Sequence, residues 1–164
     1  EKVIAQESRI KMLAEKYAGF PSALFLGRKY SAPVAMEGAL KLKELAYIHA
    51  EGYAAGEMKH GPIALLDEGF PVIAIVTRDS VYDKMKSNLQ EAKARGAPIL
   101  AIASEGDEEI SHIADDVIWV PRTIEMLSQL VNVIPLQLFA YHAAIARGLD
   151  PDHPRNLAKS VTVE

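Results

Sequence analysis

Three charged side chains on one helical stretch carry the strongest chemical signal in this chain. The segment Pro33 to His49 reads PVAMEGALKLKELAYIH and is apolar except for Glu37, Lys41, Lys43, Glu44 and His49. At about 100° per residue, with Glu37 at zero, Lys41, Glu44 and Ile48 fall at roughly 40°, −20° and 20°. The two carboxylates and the ammonium therefore share one narrow stripe. Val34 and Leu45 flank it on one side, Leu40 and Tyr47 on the other. Ala35, Ala39, Leu42 and Ala46 occupy the opposite side, and only Lys43 stands apart. A helix that is apolar nearly all round is expected to be buried, with its charges lining a cleft or paired inside the protein. Two readings fit this spacing. One is a surface stripe of ion pairs worth a few tenths of a kcal/mol each, of order ~0.3. The other is a catalytic carboxylate tuned by apolar neighbours and a nearby ammonium. Spacing alone does not choose between them.

His60 follows in the stretch AAGEMKHGP, directly before Gly61-Pro62, and so sits at a turn. It reads either as a solvated turn histidine or as a general acid–base with a pKa of about 6.5. His49, His112, His142 and His153 have no metal-ligand spacing with carboxylates, and no metal is expected. Neither a G-x-G-x-x-G nor a G-x-x-x-x-G-K-[ST] motif occurs, so nothing supports nicotinamide or P-loop chemistry, and no cofactor is expected. Gly27, after the first apolar run, is a weak hint of close backbone approach to a ligand.

The elements that must hold these groups alternate between helical and strand periods. Residues 2–17 read as a helix ended by Gly19 and Pro21. Residues 32–49 form the charged-stripe helix, with Pro33 suited to its first turn. Residues 50–62 read as a glycine-punctuated loop with a short helix. Residues 80–95 form an amphipathic helix, capped by Asp79 or Ser80 and stopped by Gly96. Residues 107–114 read as a helical turn, and 124–147 as a long apolar helix stopped by Gly148. Between them, SALFLG (22–27), PVIAIVT (71–77), PILAIA (98–103) and VIWV (117–120) are continuously apolar. Such strands are covered on both faces, as in parallel sheets. The expected fold is a doubly wound, flavodoxin-like α/β domain with a mainly parallel sheet of four to five strands. The ligand is expected at the carboxyl ends of the strands. The expected organisation is a leading helix or linker at 1–19, a domain at 20–148 and a tail at 149–164.

Composition narrows the class. The 164 residues suit one ordinary domain, 49% are hydrophobic, and the formal charge is −4. An acidic chain is a poor partner for nucleic acid or anionic membrane. No cysteine is present, which excludes disulfides, thiolate metal sites and a cysteine nucleophile from this chain. The opening EKVIAQESRIKMLAEK is charged and has no apolar core of a signal peptide, and no uninterrupted apolar run reaches membrane-spanning length. The expected location is the cytoplasm. The absence of an initial Met fits a fragment of a longer protein.

The run EGALKLKELAYIHAEGYAAGEMKHGPIALLD (Glu37 to Asp67) closely resembles the second sugar-isomerase (SIS) module of the glucosamine-6-phosphate synthases, also called glutamine–fructose-6-phosphate aminotransferases. The stretch IPLQLFAYH (Ile134 to His142) and the ending PRNLAKSVTVE (Pro154 to Glu164) resemble the same family. The resemblance covers about residues 20–164. It implies a part in making glucosamine 6-phosphate from fructose 6-phosphate and glutamine-derived ammonia. It further implies that Glu44 is the base moving a proton between carbons 1 and 2. Lys159 would form a Schiff base with the open-chain ketose, and Ala158 and Lys159 would contact the sugar. His60 would act in ring opening, reaching across from a neighbouring subunit. Lys41 would stabilise developing negative charge, and Glu37 would be a further acidic residue at the site. Arg155 and Lys41 are the candidate cations that would keep Lys159 neutral. The implied partners are sugar phosphate, a second copy of the chain, and the glutaminase and first SIS modules of a longer parent chain.

The resemblance also marks what this chain lacks. The family's glutaminase needs an amino-terminal cysteine, and its main phosphate-gripping Ser/Thr-rich loop belongs to the first SIS module. Ser31, Ser80 and Ser104 are isolated here, so little or no activity is expected of the chain alone. A sugar-phosphate-sensing SIS module and a stand-alone phosphosugar isomerase or deglycase are the alternatives. The first would not need the Glu44 and Lys159 pair. The second would need its own phosphate loop.

Overall fold

The computed structural model describes residues 1–157, and Ala158 and Lys159 lie outside them. Five strands, β1 (Ser22–Gly27), β2 (His49–Ala54), β3 (Val72–Val76), β4 (Ile99–Ser104) and β5 (Asp116–Val120), form one sheet in the order β2-β1-β3-β4-β5. Every pairing is parallel. The doubly wound reading holds, with the full five strands. The four apolar runs are β1, β3, β4 and β5. The fifth strand, β2, falls where the sequence reads as a loop. Its residues HAEGYA are only partly buried because β2 is the sheet edge, so it lacks the apolar signature of the inner strands.

The inner strands are apolar throughout because alternate side chains feed two separate cores. Phe25, Ile73, Ile75, Leu100 and Ile102 point to one face, against α1 (Glu7–Tyr17), α2 (Ser31–Ala46) and α4 (Ser128–Ala146). Leu24, Leu26, Val72, Ala74 and Val76 point to the other, against α3 (Tyr82–Lys93) and the 3₁₀ turn Ala55–His60. Helix α1 buries Ile10, Leu13, Ala14 and Tyr17 in the first core. The long apolar segment at Glu125–Ala146 has the length and composition of a membrane span. Here it is a core helix, burying Leu136, Phe139, Ala140, Ala143 and Ala144 with α1 and α2.

Helix ends depart from the sequence reading in small ways. α3 starts at Tyr82, and the residue before it has no side-chain cap. Asp79 instead accepts a hydrogen bond from the Val81 amide at 2.9 Å, closing a turn before the helix. Gly96 and Gly148 do stop their helices, with φ of +85° and +70°.

Close approach fixes α2, the helix that carries the charged stripe. A Cβ on Gly38 would lie 2.7 Å from Leu136 Cδ1, so glycine lets α2 press against α4. A Cβ on Gly52 would lie 2.4 Å from Met36 Cα, so glycine lets β2 pass directly beside the α2 backbone. α2 connects the carboxyl end of β1 to the amino end of β2 and thus runs antiparallel to both.

At the carboxyl ends of the inner strands a buried charge ties the chain after β3 to the chain after β4. The Asp107 side chain is fully buried, and its Oδ1 accepts from Arg78 Nη2 and from Tyr82 Oη, each at 2.8 Å. The Arg78 guanidinium also lies over the Tyr82 ring at 4.2 Å. Removing the cation strands a buried carboxylate, which costs about 3 kcal/mol. Arg78→Met should therefore lower the melting temperature by about 10 °C for a chain of this size. Adding Asp107→Asn should restore at least half of the loss, because a neutral amide needs no counter-charge. Thermal unfolding followed by circular dichroism checks both values.

Candidate active site

The stripe is real and half-buried. Lys41 Nζ lies 2.5 Å from Glu44 Oε2 and 3.7 Å from Glu37 Oε1. The hydrogen bond to Glu44 is the largest influence on Lys41 and raises its pKa above the ordinary lysine value; burial opposes it. The side chains of Glu37, Lys41 and Glu44 are 39%, 29% and 26% exposed. The expectation of a wholly buried helix does not hold. α2 buries Val34, Ala35, Gly38, Ala39, Leu42 and Ala46 on one side only. Met36 and Leu40 stay exposed, 50% and 41%. An apolar circumference fits this arrangement because two apolar sides of α2 meet different surroundings, the core on one and an open cavity on the other.

That cavity has a volume of about 500 Å3 and is lined by Leu40, Lys43, Glu44, Tyr47, Ile48 and the start of the tail. From the tail come Arg155, Asn156 and Leu157. This cavity therefore lies at the amino end of β2. The reason is topological: an antiparallel connecting helix delivers its last turn to the amino side of the sheet. A smaller cavity of about 160 Å3 does occupy the carboxyl ends, between Thr77, Ser104, Arg122 and Asn132.

Helix α2 ends in an unusual way. Tyr47 has φ +53° and ψ +33°, the left-handed conformation that usually falls to Gly or Asn. Its hydroxyl accepts a hydrogen bond from the Arg155 amide at 2.7 Å, and the Arg155 guanidinium lies over its ring at 4.1 Å. Sequence reasoning placed Tyr47 only as an apolar flank of the stripe. Nothing in its type signals a left-handed helix end, and the hydrogen bond spans 108 positions.

His60 is elsewhere. Its side chain is 72% exposed, with Nδ1 at 2.8 Å from Glu57 Oε2. It lines a separate cavity of about 630 Å3 with Glu51, Tyr53, Glu57 and Leu65. The two cavities share no lining residue, so within one chain the structure brings together Glu37, Lys41 and Glu44 and leaves His60 apart. Ala158 and Lys159 lie beyond the described residues.

A parallel 2-1-3-4-5 sheet with a Glu–Lys–Glu stripe on its first crossover helix defines a class. The SIS-domain family profile matches residues 17–147, and the chain belongs to that family. More particularly, the chain is 56% identical over all 164 residues to glutamine–fructose-6-phosphate aminotransferase (isomerizing) of Thermus thermophilus, covering 27% of it. Against the aminotransferase of the same name from Synechocystis, it is 58% identical over 159 residues, 97% of this chain and 25% of that one. The C-terminal domain of glucosamine-fructose-6-phosphate aminotransferase from Francisella tularensis matches with a TM-score of 0.87 at 39% identity, over 92% of this chain and 43% of that one. The resemblance read from Glu37–Asp67 and the tail is thus borne out. The chain spans about a quarter of the length of these curated relatives.

Proposed function

We propose that this chain is the isomerase module of an enzyme that makes glucosamine 6-phosphate from fructose 6-phosphate and ammonia released from glutamine, acting in the cytoplasm. One observation carries the reading: Glu44 and the start of the tail wall the same cavity, and the tail leads to Lys159. The chemistry follows from those groups. The Lys159 amine adds to carbon 2 of the open-chain ketose and expels water, giving an imine. Ammonia displaces the lysine and stays on carbon 2. The Glu44 carboxylate takes a proton from carbon 1, leaving an enolamine, and returns it to carbon 2. The imine nitrogen gains a proton as the enolamine forms, the carbon 1 hydroxyl loses one as its oxygen becomes the carbonyl, and the product is the aldehyde with the amine on carbon 2. In this scheme Lys41, whose ammonium lies 2.5 Å from Glu44, stabilises the enolamine oxygen as charge develops there. Glu37 supports Lys41 from the other side.

His60 opens the sugar ring in this scheme. Its exposure and its separate cavity favour delivery to the Glu44 cavity of a second subunit, so the working unit is a homodimer. Phosphate gripping and glutamine hydrolysis fall to other parts of the parent chain.

The test is peptide mapping of the complete enzyme after borohydride reduction in the presence of fructose 6-phosphate. A sugar fixed to Lys159 blocks trypsin there, so Asn156–Glu164 should appear as one peptide carrying the hexitol phosphate mass. Turnover with no adduct on that peptide overturns the assignment.

A further inference from the structure

The first tail residues do not pass the α2 terminus by chance. We propose that Tyr47 is a positioning residue: it docks the tail at Arg155 and so delivers Lys159 to the Glu44 cavity. The proposal rests on the reading of Lys159 as the imine-forming lysine.

Three observations at one residue converge. The Tyr47 hydroxyl takes the Arg155 amide, a backbone contact that fixes where the chain runs. The Tyr47 ring takes the Arg155 guanidinium, a side-chain contact that fixes which residue docks. The left-handed backbone of Tyr47, uncommon for a tyrosine, turns the chain at the helix end where that contact is made. Asn156, next after the docked residue, also has a positive φ, +62°, so the tail turns sharply as soon as it is held. Leu157 then lines the cavity together with Glu44. Lys159 follows two residues later in the sequence. A lysine on so short a tether meets the substrate as an intramolecular group, whereas an undocked tail spreads it over a much larger volume.

Variants separate the two halves of the contact. Tyr47→Phe removes the hydroxyl and keeps the ring. Arg155→Ala removes the guanidinium and keeps the amide. Tyr47→Ala removes both. The first readout is trypsin cleavage of this chain after Arg155, compared between wild type, Tyr47→Phe and Tyr47→Ala. We expect cleavage to accelerate at least fivefold in Tyr47→Ala and less in Tyr47→Phe, with melting temperatures unchanged within 2 °C or so. The second is the rate of borohydride-trappable imine formation in the complete enzyme. It should fall about tenfold or more in Tyr47→Ala at saturating fructose 6-phosphate. Tyr47→Phe should lie between, and Tyr47→Ala/Arg155→Ala should be no worse than Tyr47→Ala alone. Unchanged cleavage overturns the docking. Faster cleavage with an unchanged imine rate overturns the positioning role, as does an imine-rate loss matched by loss of folded protein. If the wild-type enzyme forms no imine at Lys159, the proposed function itself fails, and that result is visible before any Tyr47 variant is made.

Discussion

Lys159→Ala in the complete enzyme should leave no borohydride-stable sugar adduct, and turnover should fall by about 10^3-fold or more, as when a covalent nucleophile is removed. The expectation rests on valence rather than on charge. An imine needs a nitrogen with a lone pair and two exchangeable hydrogens, which a lysine amine has and a guanidinium effectively does not. Lys159→Arg keeps the positive charge and should be as inactive as the alanine variant. Ammonia adding directly to the ketose gives a slow residual route, so a small activity without an adduct fits the scheme. The competing lysines are close at hand: Lys43 lines the cavity and Lys41 is bound to Glu44. An adduct that persists in Lys159→Ala and disappears in Lys43→Ala would move the imine to α2 and overturn the reading of the tail.

The sequence carries the architecture because the inner strands are buried on both faces, and β1, β3, β4 and β5 therefore read as apolar runs. It does not carry β2, because an edge strand with His49, Glu51 and Gly52 has no such signature. The stripe of Glu37, Lys41 and Glu44 is legible from helical spacing alone, since residues three and four apart must be neighbours. Its half-burial is not, because an apolar helix surface facing a cavity looks the same in sequence as one facing a core. Tyr47 is the clearest omission. Its role depends on a backbone angle and on a partner beyond the far end of the fold, and neither leaves a local trace. The motif resemblance reached Lys159 and His60 by another route, residue by residue, where physical reasoning from spacing left them open.

Glu44→Gln should separate proton transfer from imine formation. The amide has nearly the shape of the carboxylate, so the cavity wall beside Leu40 and Tyr47 is preserved, but an amide takes no proton at neutral pH. Loss of a general base of this kind lowers turnover by about 10^2- to 10^4-fold. The imine at Lys159 should still form, because that step uses the lysine amine and not the carboxylate. In heavy water, exchange of the carbon 1 hydrogen of fructose 6-phosphate, followed by proton NMR, should fall with turnover. Lys159→Ala is expected to lose both the adduct and the exchange, Glu44→Gln the exchange alone. The substitution also removes the strongest partner of Lys41, leaving Glu37 at 3.7 Å. Lys41 then loses the hydrogen bond that raises its pKa. Lys41→Met in an otherwise native site isolates that contribution. It should lower turnover more than adduct formation, since the ammonium acts chiefly on charge that develops only after the proton leaves carbon 1. Equal loss of adduct and exchange in Glu44→Gln would mean that Glu44 acts before proton transfer, and the assignment of the base would fail.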